Sequence, residues 1–286
     1  MADQGVADRV VLFLVDGMRP DGMQQAPAPT MQRLCEAGAS TLTARTVWPS
    51  ITLPTHTSLF HSVPPEVHGV VTNEWRPVHE IKIGDALPGL IDLIHQANRR
   101  AAAFYTWEEL RDLWRPGSLA YSTFINLYAP DGEHSDARVA HLAAEYIVRE
   151  QPDFTFVYLG WTDEIGHRHG WMSPEYLAAI RGADAAIQEV LEALESAGLL
   201  ETTACLVTAD HGGHEQWHGS DCAEDMTIPW MLTGPGVKPG YHIQKHVGML
   251  DTAPTIACLL GLQRPALWQG QPVWDALQIR EESHGE

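Results

Sequence analysis

Six short apolar runs, at residues 10–15, 41–47, 101–105, 154–159, 205–208 and 228–233, constrain this chain more than any other feature. Most are continuous rather than alternating, the pattern of strands buried on both faces. Helical patterns stand between them. Residues 30–37 end at Gly38, residues 87–97 follow Asp85, residues 137–150 follow Ser135-Asp136, and residues 250–260 end at Gly261. The longest pattern, residues 174–197, has Ser173 as N-cap, Pro174 in the first helical position and Gly198 as a stop. Strands alternating with helices predict an α/β fold, a mostly parallel central sheet with helices on both faces.

Residues 107–136 break the alternation. They carry Trp107, Trp114, Tyr121, Phe124 and Tyr128, with turns at Pro116-Gly117 and Pro130-Asp131-Gly132. The segment reads either as an insertion that roofs a site or as an aromatic loop tucked against the core. No linker, repeat or low-complexity stretch interrupts the rest. Residues 1–286 are therefore expected to form a single domain with a lid insertion at about 107–136.

Charge narrows the function. Eighteen Lys and Arg against 37 Asp and Glu leave a net charge of −19. Such a field repels nucleic-acid backbones and anionic membranes, so neither duplex nucleic acid nor a membrane is expected as a partner. Phosphate chemistry on this chain calls for bound cations. No run approaches the roughly 18 apolar residues of a membrane helix. The start is polar and the first apolar run stops at Asp16, which is no signal-peptide pattern. A cytoplasmic protein is expected, unless an export sequence has been removed. Cys35, Cys205, Cys222 and Cys258 show no paired spacing, which argues against a disulfide framework or a Cys-rich zinc site.

Three apolar runs end in carboxylates. Residues 10–15 lead into Asp16-Gly17, residues 154–159 into Gly160-Trp161-Thr162-Asp163, and residues 205–208 into Asp210-His211. Ligands of open α/β sheets bind outside the carboxyl ends of the strands. Asp-Gly alone is usually a plain turn; three such ends, two with histidines in register, point to a site. Carboxylate and imidazole suit zinc and manganese. Asp163 and His167 are spaced i, i+4 and share a face if residues 160–170 are helical, whereas His169 points elsewhere. After Asp210-His211, two glycines read as a tight turn, with His214 and His218 following. Thr52 sits just before a helix that starts near Pro54 and runs to about His61. A helix N-terminus attracts anions, and a hydroxyl beside a cation becomes a nucleophile. An isolated threonine there would be read as a helix cap.

Together these residues resemble the alkaline phosphatase superfamily, and most of all its nucleotide pyrophosphatase/phosphodiesterase branch. Val15-Asp16-Gly17-Met18-Arg19-Pro20-Asp21 is similar to the opening strand and metal aspartate of that branch. Pro49-Ser50-Ile51-Thr52-Leu53-Pro54-Thr55-His56 resembles its nucleophile segment, with Thr52 on the attacking threonine. Residues 64–73 resemble the segment after it, and Asn73 falls on the asparagine that binds a phosphoryl oxygen. Asp163-Glu164-Ile165-Gly166-His167 and Ala209-Asp210-His211-Gly212 match the next two metal motifs. Residues 251–256, with Leu259-Leu260-Gly261, resemble a closing helix shared with sulfatases.

The resemblance implies two divalent metal ions, zinc by preference and manganese as the alternative. Asp16, Thr52, Asp210 and His211 would hold one. Asp163, His167 and a third histidine would hold the other; His218 is the assignment, with His214 and His246 as rivals. It implies a hydrolase acting on a small-molecule phosphate ester, a phosphodiesterase or nucleotide pyrophosphatase with a phospho-threonine intermediate. A phosphomonoesterase or phosphonate hydrolase on the same scaffold is the alternative, and a non-catalytic metal-binding protein a distant third. The Cys/Ser-x-Pro-x-Arg signature of sulfatases is absent. Thr55 replaces the usual asparagine before His56, and Leu53 replaces an aromatic residue, which puts nucleotide preference in doubt. His56, His61 and His68 read as structural, Trp161 as core or pocket wall, and nothing places Arg19 or Arg45.

Overall fold

A computed structural model describes residues 5–74 and 87–278, and its strands form one eight-stranded sheet. The first part of the chain contains β1 (Arg9–Val15), α1 (Pro20–Gln25), α2 (Pro29–Ala37), β2 (Ala39–Arg45), α3 (Thr52–His61), α4 (Pro65–His68) and α5 (Leu90–Gln96). Then come β3 (Ala101–Tyr105), β4 (Tyr121–Phe124), α6 (Ser135–Glu150), β5 (Phe154–Leu159), α7 (Trp161–His169) and α8 (Pro174–Ser196). The remainder holds β6 (Thr203–Thr208), α9 (Ala223–Met226), β7 (Thr227–Thr233), β8 (Tyr241–His242) and α10 (Thr252–Leu259). Strand order is β4-β3-β5-β1-β6-β7-β2-β8. Pairing is parallel except at β7, which runs antiparallel to both β6 and β2. This is the mostly parallel α/β sheet expected from the sequence.

Helices cover both faces, and two aromatic clusters show it. Phe156 of β5 meets Phe60 of α3 at 5.0 Å between ring centroids. Phe104 of β3 meets Tyr146 of α6 at 5.7 Å. Phe156 pairs with Ala103, so Phe104 points the other way, because side chains alternate along a strand. α3 and α6 therefore lie on opposite faces. α8 packs on α6, α7, α1 and α2, while α3 packs on α4, α5 and α10. Two carboxylates cap helices from a distance. Ala28 and Gly160 precede α2 and α7 without capping side chains. Asp184 of α8 accepts from Thr30 N and Met31 N, and Asp136 of α6 from Gly160 N and Trp161 N. Each supplies acceptors to N–H groups that the first turn of a helix leaves without partners.

The register explains where a site can form. Val15 pairs with Leu159, and Leu14 with Thr208. The central strands β5, β1 and β6 thus end level, and the residues just past their ends emerge side by side. Among the described residues no helix is long and apolar enough to cross a membrane.

The buried His68 locks the turn after α3. Its Nδ1 accepts from Val70 N at 3.1 Å, so the neutral ring carries its proton on Nε2 and donates to Ser58 Oγ at 2.9 Å. Burial lowers its pKa from 6.5 to about 3. The folded ring binds fewer protons than the unfolded one, so stability present above pH 6.5 is lost as pH falls toward 3, by up to roughly 1.4 kcal/mol per pH unit. His68→Asn keeps an acceptor for the Val70 amide but does not titrate. Urea unfolding at pH 7, 6 and 5 is expected to show a shallower stability loss in the variant. Equal slopes would refute the role given to His68.

Candidate active site

Asp16 leaves β1 fully buried. Its Oδ2 accepts from the Tyr158 hydroxyl, while Oδ1 has no hydrogen-bond partner and lies 3.3 Å from His211 Nε2. Asp210, past the end of β6, accepts from Gly17 N at 3.1 Å and lies 3.3 Å from the same His211 nitrogen. Thr52 starts α3 rather than preceding it, and its Oγ1 is 3.3 Å from His211 Nε2. One imidazole nitrogen is thus ringed by two carboxylates and a hydroxyl.

The second group grows from α7. One helical turn puts His167 Nε2 at 3.4 Å from Asp163 Oδ2. His218 Nε2 lies 3.2 Å from His167 Nε2 and 3.7 Å from Asp163 Oδ1. Asp163 Oδ1, too, is buried without a hydrogen bond. The rings of His211 and His218 stack at 3.8 Å, which joins the two groups. Ligand atoms of Asp163, His167 and His218 lie within 4.8 Å of one another, as do those of Asp16, Asp163 and His211.

Three tautomers are set by the backbone. His211 Nδ1 donates to Gly212 O at 2.8 Å, His167 Nδ1 to Gln216 O at 3.0 Å, and His218 Nδ1 to Ser50 O at 2.8 Å. Each ring thereby turns its Nε2 toward the centre of the site, the orientation that metal-ligating histidines take. The acids are unfavourable neighbours on their own. Burial, then the charges of Asp210 and Asp163, raise the Asp16 pKa well above its usual value. Burial raises Asp163 as well, and takes Asp210 to about 7. Burial holds His211 far below its ordinary range. Inward-facing imidazole nitrogens, orphaned carboxylate oxygens and mutually repelling acids form a donor set that fits divalent cations.

Asp16, Thr52, Asn73, Asp163, His167 and His218 line a cavity of about 280 Å³, above the fully buried Asp210 and His211. Asn73 Oδ1 accepts from Leu53 N at 2.8 Å, which fixes the carboxamide beside Thr52. His214 lies outside this group and bonds Asp225 Oδ1 at 2.7 Å, with Cys222 Sγ at 3.7 Å. Arg19 is bound to Asp21 and Gly213 O, Arg45 reaches Thr227, and Trp161 lies under Arg168 at 5.3 Å.

Gly212 and Gly213 are not the tight-turn glycines that the sequence suggests, since neither has positive φ. They are close-approach positions. A Cβ on Gly212 would stand 2.0 Å from Glu224 O, and one on Gly213 would stand 2.2 Å from the Trp171 ring. Their amides bind the carbonyls of Asp225 and Glu224, which pins the loop that carries His211 and His218. Gly212→Ala is expected to cost about 2 kcal/mol or more in urea unfolding, because a backbone carbonyl cannot retract as a side chain does. An unchanged midpoint would show that the loop yields.

Several participants carry no local sequence signal. Tyr158 on Asp16, Ser50 O on His218 and Asp136 at the start of α7 reach the site only through tertiary structure. Glu109 and Tyr128, in the irregular segment, line the cavity, and β4 of the same segment pairs with β3 at the sheet edge.

The sheet, and the acids and imidazoles at the level ends of β1, β5 and β6, place the protein in the alkaline phosphatase superfamily, on its nucleotide pyrophosphatase/phosphodiesterase branch. Residues 10–216 match the family model for type I phosphodiesterase / nucleotide pyrophosphatase, and the chain belongs to that family. It is 40% identical over 103 residues to a phosphopentomutase of Methylobacterium sp., covering 36% of this chain and 23% of that protein. It is 25% identical over 288 residues to the bis(5′-adenosyl)-triphosphatase of Bos taurus, covering 93% of this chain and 58% of the other. The chain therefore spans less than two thirds of the length of these relatives. Human ectonucleotide pyrophosphatase / phosphodiesterase 5 shares the fold at a TM-score of 0.80 and 16% identity, over 95% of this chain and 100% of that one.

Proposed function

We propose that this protein is a metal-dependent phosphodiesterase that works through a phospho-threonine intermediate. The observation that carries the reading is Thr52 Oγ1 at 3.3 Å from His211 Nε2, at a helix N-terminus and beside the orphaned Asp16 Oδ1. Asp16, Thr52, Asp210 and His211 would hold one divalent ion, and Asp163, His167 and His218 the other. Bound there, the ions would lower the pKa of a hydroxyl and stabilise charge on the attacking and leaving oxygens.

Thr52 Oγ1 attacks phosphorus, the ester P–O bond breaks, and the alcohol leaves. Water then hydrolyses the threonine ester. The Thr52 N–H has no partner among the described residues, because α3 has no earlier turn to receive it and Pro54 offers no donor beside it. With the Asn73 carboxamide it can donate to a non-bridging oxygen as charge develops. Two neutral donors suit the single charge of a diester better than the double charge of a monoester. The family's description as type I phosphodiesterase / nucleotide pyrophosphatase supports attack on a phosphorus that carries two substituents.

Parallel assay of the zinc-loaded protein on bis-p-nitrophenyl phosphate, p-nitrophenyl phosphate and p-nitrophenyl sulfate tests this. The diester is expected to turn over fastest. A monoester rate far above it would replace the reading with a phosphomonoesterase.

A further inference from the structure

One group of metal-type side chains stands outside the catalytic centre and has no part in the proposed reaction. His214, which the fold sets aside, meets Asp225 Oδ1 at 2.7 Å and Cys222 Sγ at 3.7 Å, both at the same ring nitrogen, Nδ1. Ligand atoms of the three residues lie within 4.8 Å of one another. Of the four cysteines, Cys222 is the one that stands in such a group. Its thiol also donates to the Glu224 carboxylate, which brings a fourth donor to the edge of the group.

Chemistry and geometry fit a cation of the zinc type. Imidazole nitrogen, thiolate sulfur and carboxylate oxygen are the ligand types that zinc takes. Bonds of about 2.0–2.3 Å in a tetrahedron set neighbouring ligands roughly 3.3–3.8 Å apart. The sulfur–nitrogen separation already has that value. The His214 ring is 39% exposed and need withdraw from Asp225 by only about 0.6 Å. The frame around it is rigid. Asp225 is fully buried, its Oδ2 accepts from Ser220 N at 2.8 Å, and its ion-pair partner among the described residues is His214. Paired backbone hydrogen bonds with Trp217 hold His214, and the Gly212 and Gly213 amides hold the carbonyls of Asp225 and Glu224.

We infer that His214, Cys222 and Asp225 form a third cation site, for zinc or another thiophilic divalent ion, that staples the loop between His211 and His218 to α9. On binding, the cation replaces the proton that His214 Nδ1 shares with Asp225, and the Cys222 thiol gives up its own proton. The hydrogen bond to Asp225 raises the His214 pKa, so the cation competes with a proton and binds more weakly than the two central ions. It is lost on desalting, which leaves the two equivalents of the central site.

Cobalt(II) tests the site, because a cobalt–thiolate bond absorbs in the near ultraviolet and the central donor sets contain no sulfur. Titrated into zinc-loaded, desalted protein, cobalt is expected to develop this charge-transfer band with an endpoint at one equivalent. Cys222→Ser keeps a good capping residue before α9 and is expected to remove the band. His214→Ala is expected to weaken cobalt binding by about tenfold or more. At cobalt a hundredfold above Kd, the melting temperature of the wild type is expected to rise by about 5–10 °C over the desalted protein, and that of Cys222→Ser to stay put. If the central residues hold no zinc, cobalt filling them adds no sulfur band, so the readout stands whether or not the protein is a phosphodiesterase. No band at a large excess of cobalt, or a band of equal strength in Cys222→Ser, would overturn the inference.

Discussion

Thr52→Ala is expected to lower kcat/KM for bis-p-nitrophenyl phosphate by roughly 10⁴-fold, about 5 kcal/mol of transition-state stabilisation. Among the described residues its hydroxyl has one hydrogen-bond partner, His211 Nε2, whereas its backbone carbonyl serves the fold by accepting from His56 Nδ1 at 2.7 Å and Thr55 Oγ1 at 2.8 Å. Alanine keeps the carbonyl and suits the first turn of α3, so the melting temperature is expected to stay within a few degrees. Thr52→Ser restores a hydroxyl at the same Cβ and is expected to recover most of the rate. Burst kinetics give the complementary signal: a rapid release of p-nitrophenolate, up to one equivalent per site, if breakdown of the threonine ester is slow. Full activity in Thr52→Ala would end the nucleophile assignment and point to direct attack by water.

Legibility in the sequence depends on what each residue needs locally. The runs at 101–105 and 154–159 coincide with β3 and β5, because strands buried on both faces must be apolar throughout. β2 starts and ends two residues before the expected 41–47. Its opening Ala39 and Ser40 carry no apolar signal, and Thr46 leaves the sheet to bond Met226 O. β4 and β8 are silent in the sequence for a related reason. Both are edge strands, β4 half exposed and β8 two residues long, so neither needs an apolar run. In the site, the acids at strand ends are visible because register turns three distant segments into neighbours. Glu109, Tyr158 and Asp136 are not, because each is a single residue whose meaning arises only when another element packs against it. His214 and His218 look alike in sequence. The fold separates them: Asp225 holds His214 aside, while the Ser50 carbonyl turns the His218 ring toward Asp163.

Chelation is expected to produce the largest stability effect. Without cations, Asp16, Asp163 and Asp210 are buried together, and their pKa values lie above those of the unfolded chain, that of Asp210 at about 7. The folded metal-free protein then binds more protons than the unfolded one between pH ~4 and ~7, and the sign is set by that difference. These acids cost nothing while protonated at low pH, and they destabilise progressively as pH rises through 7. Cations reverse this, because they bind the deprotonated ligands that higher pH supplies. The gap in melting temperature between zinc-loaded and chelated protein is therefore expected to widen with pH, from near zero at pH 4.5 to its full value at pH 8. At zinc concentrations a thousandfold above Kd, one site contributes about 4 kcal/mol, or roughly 8–16 °C for a chain of this size. Taking the difference at each pH cancels His68, which titrates in both forms and destabilises in the opposite direction. Metal content gives an independent measure. Two equivalents are expected in the wild type and in His214→Ala, and one in His218→Ala, because His214 is engaged by Asp225 and only His218 stands beside Asp163 and His167. Loss of metal from His214→Ala with retention in His218→Ala would reverse the assignment, and a gap that narrows as pH rises would show that the buried acids are not the groups the cations engage.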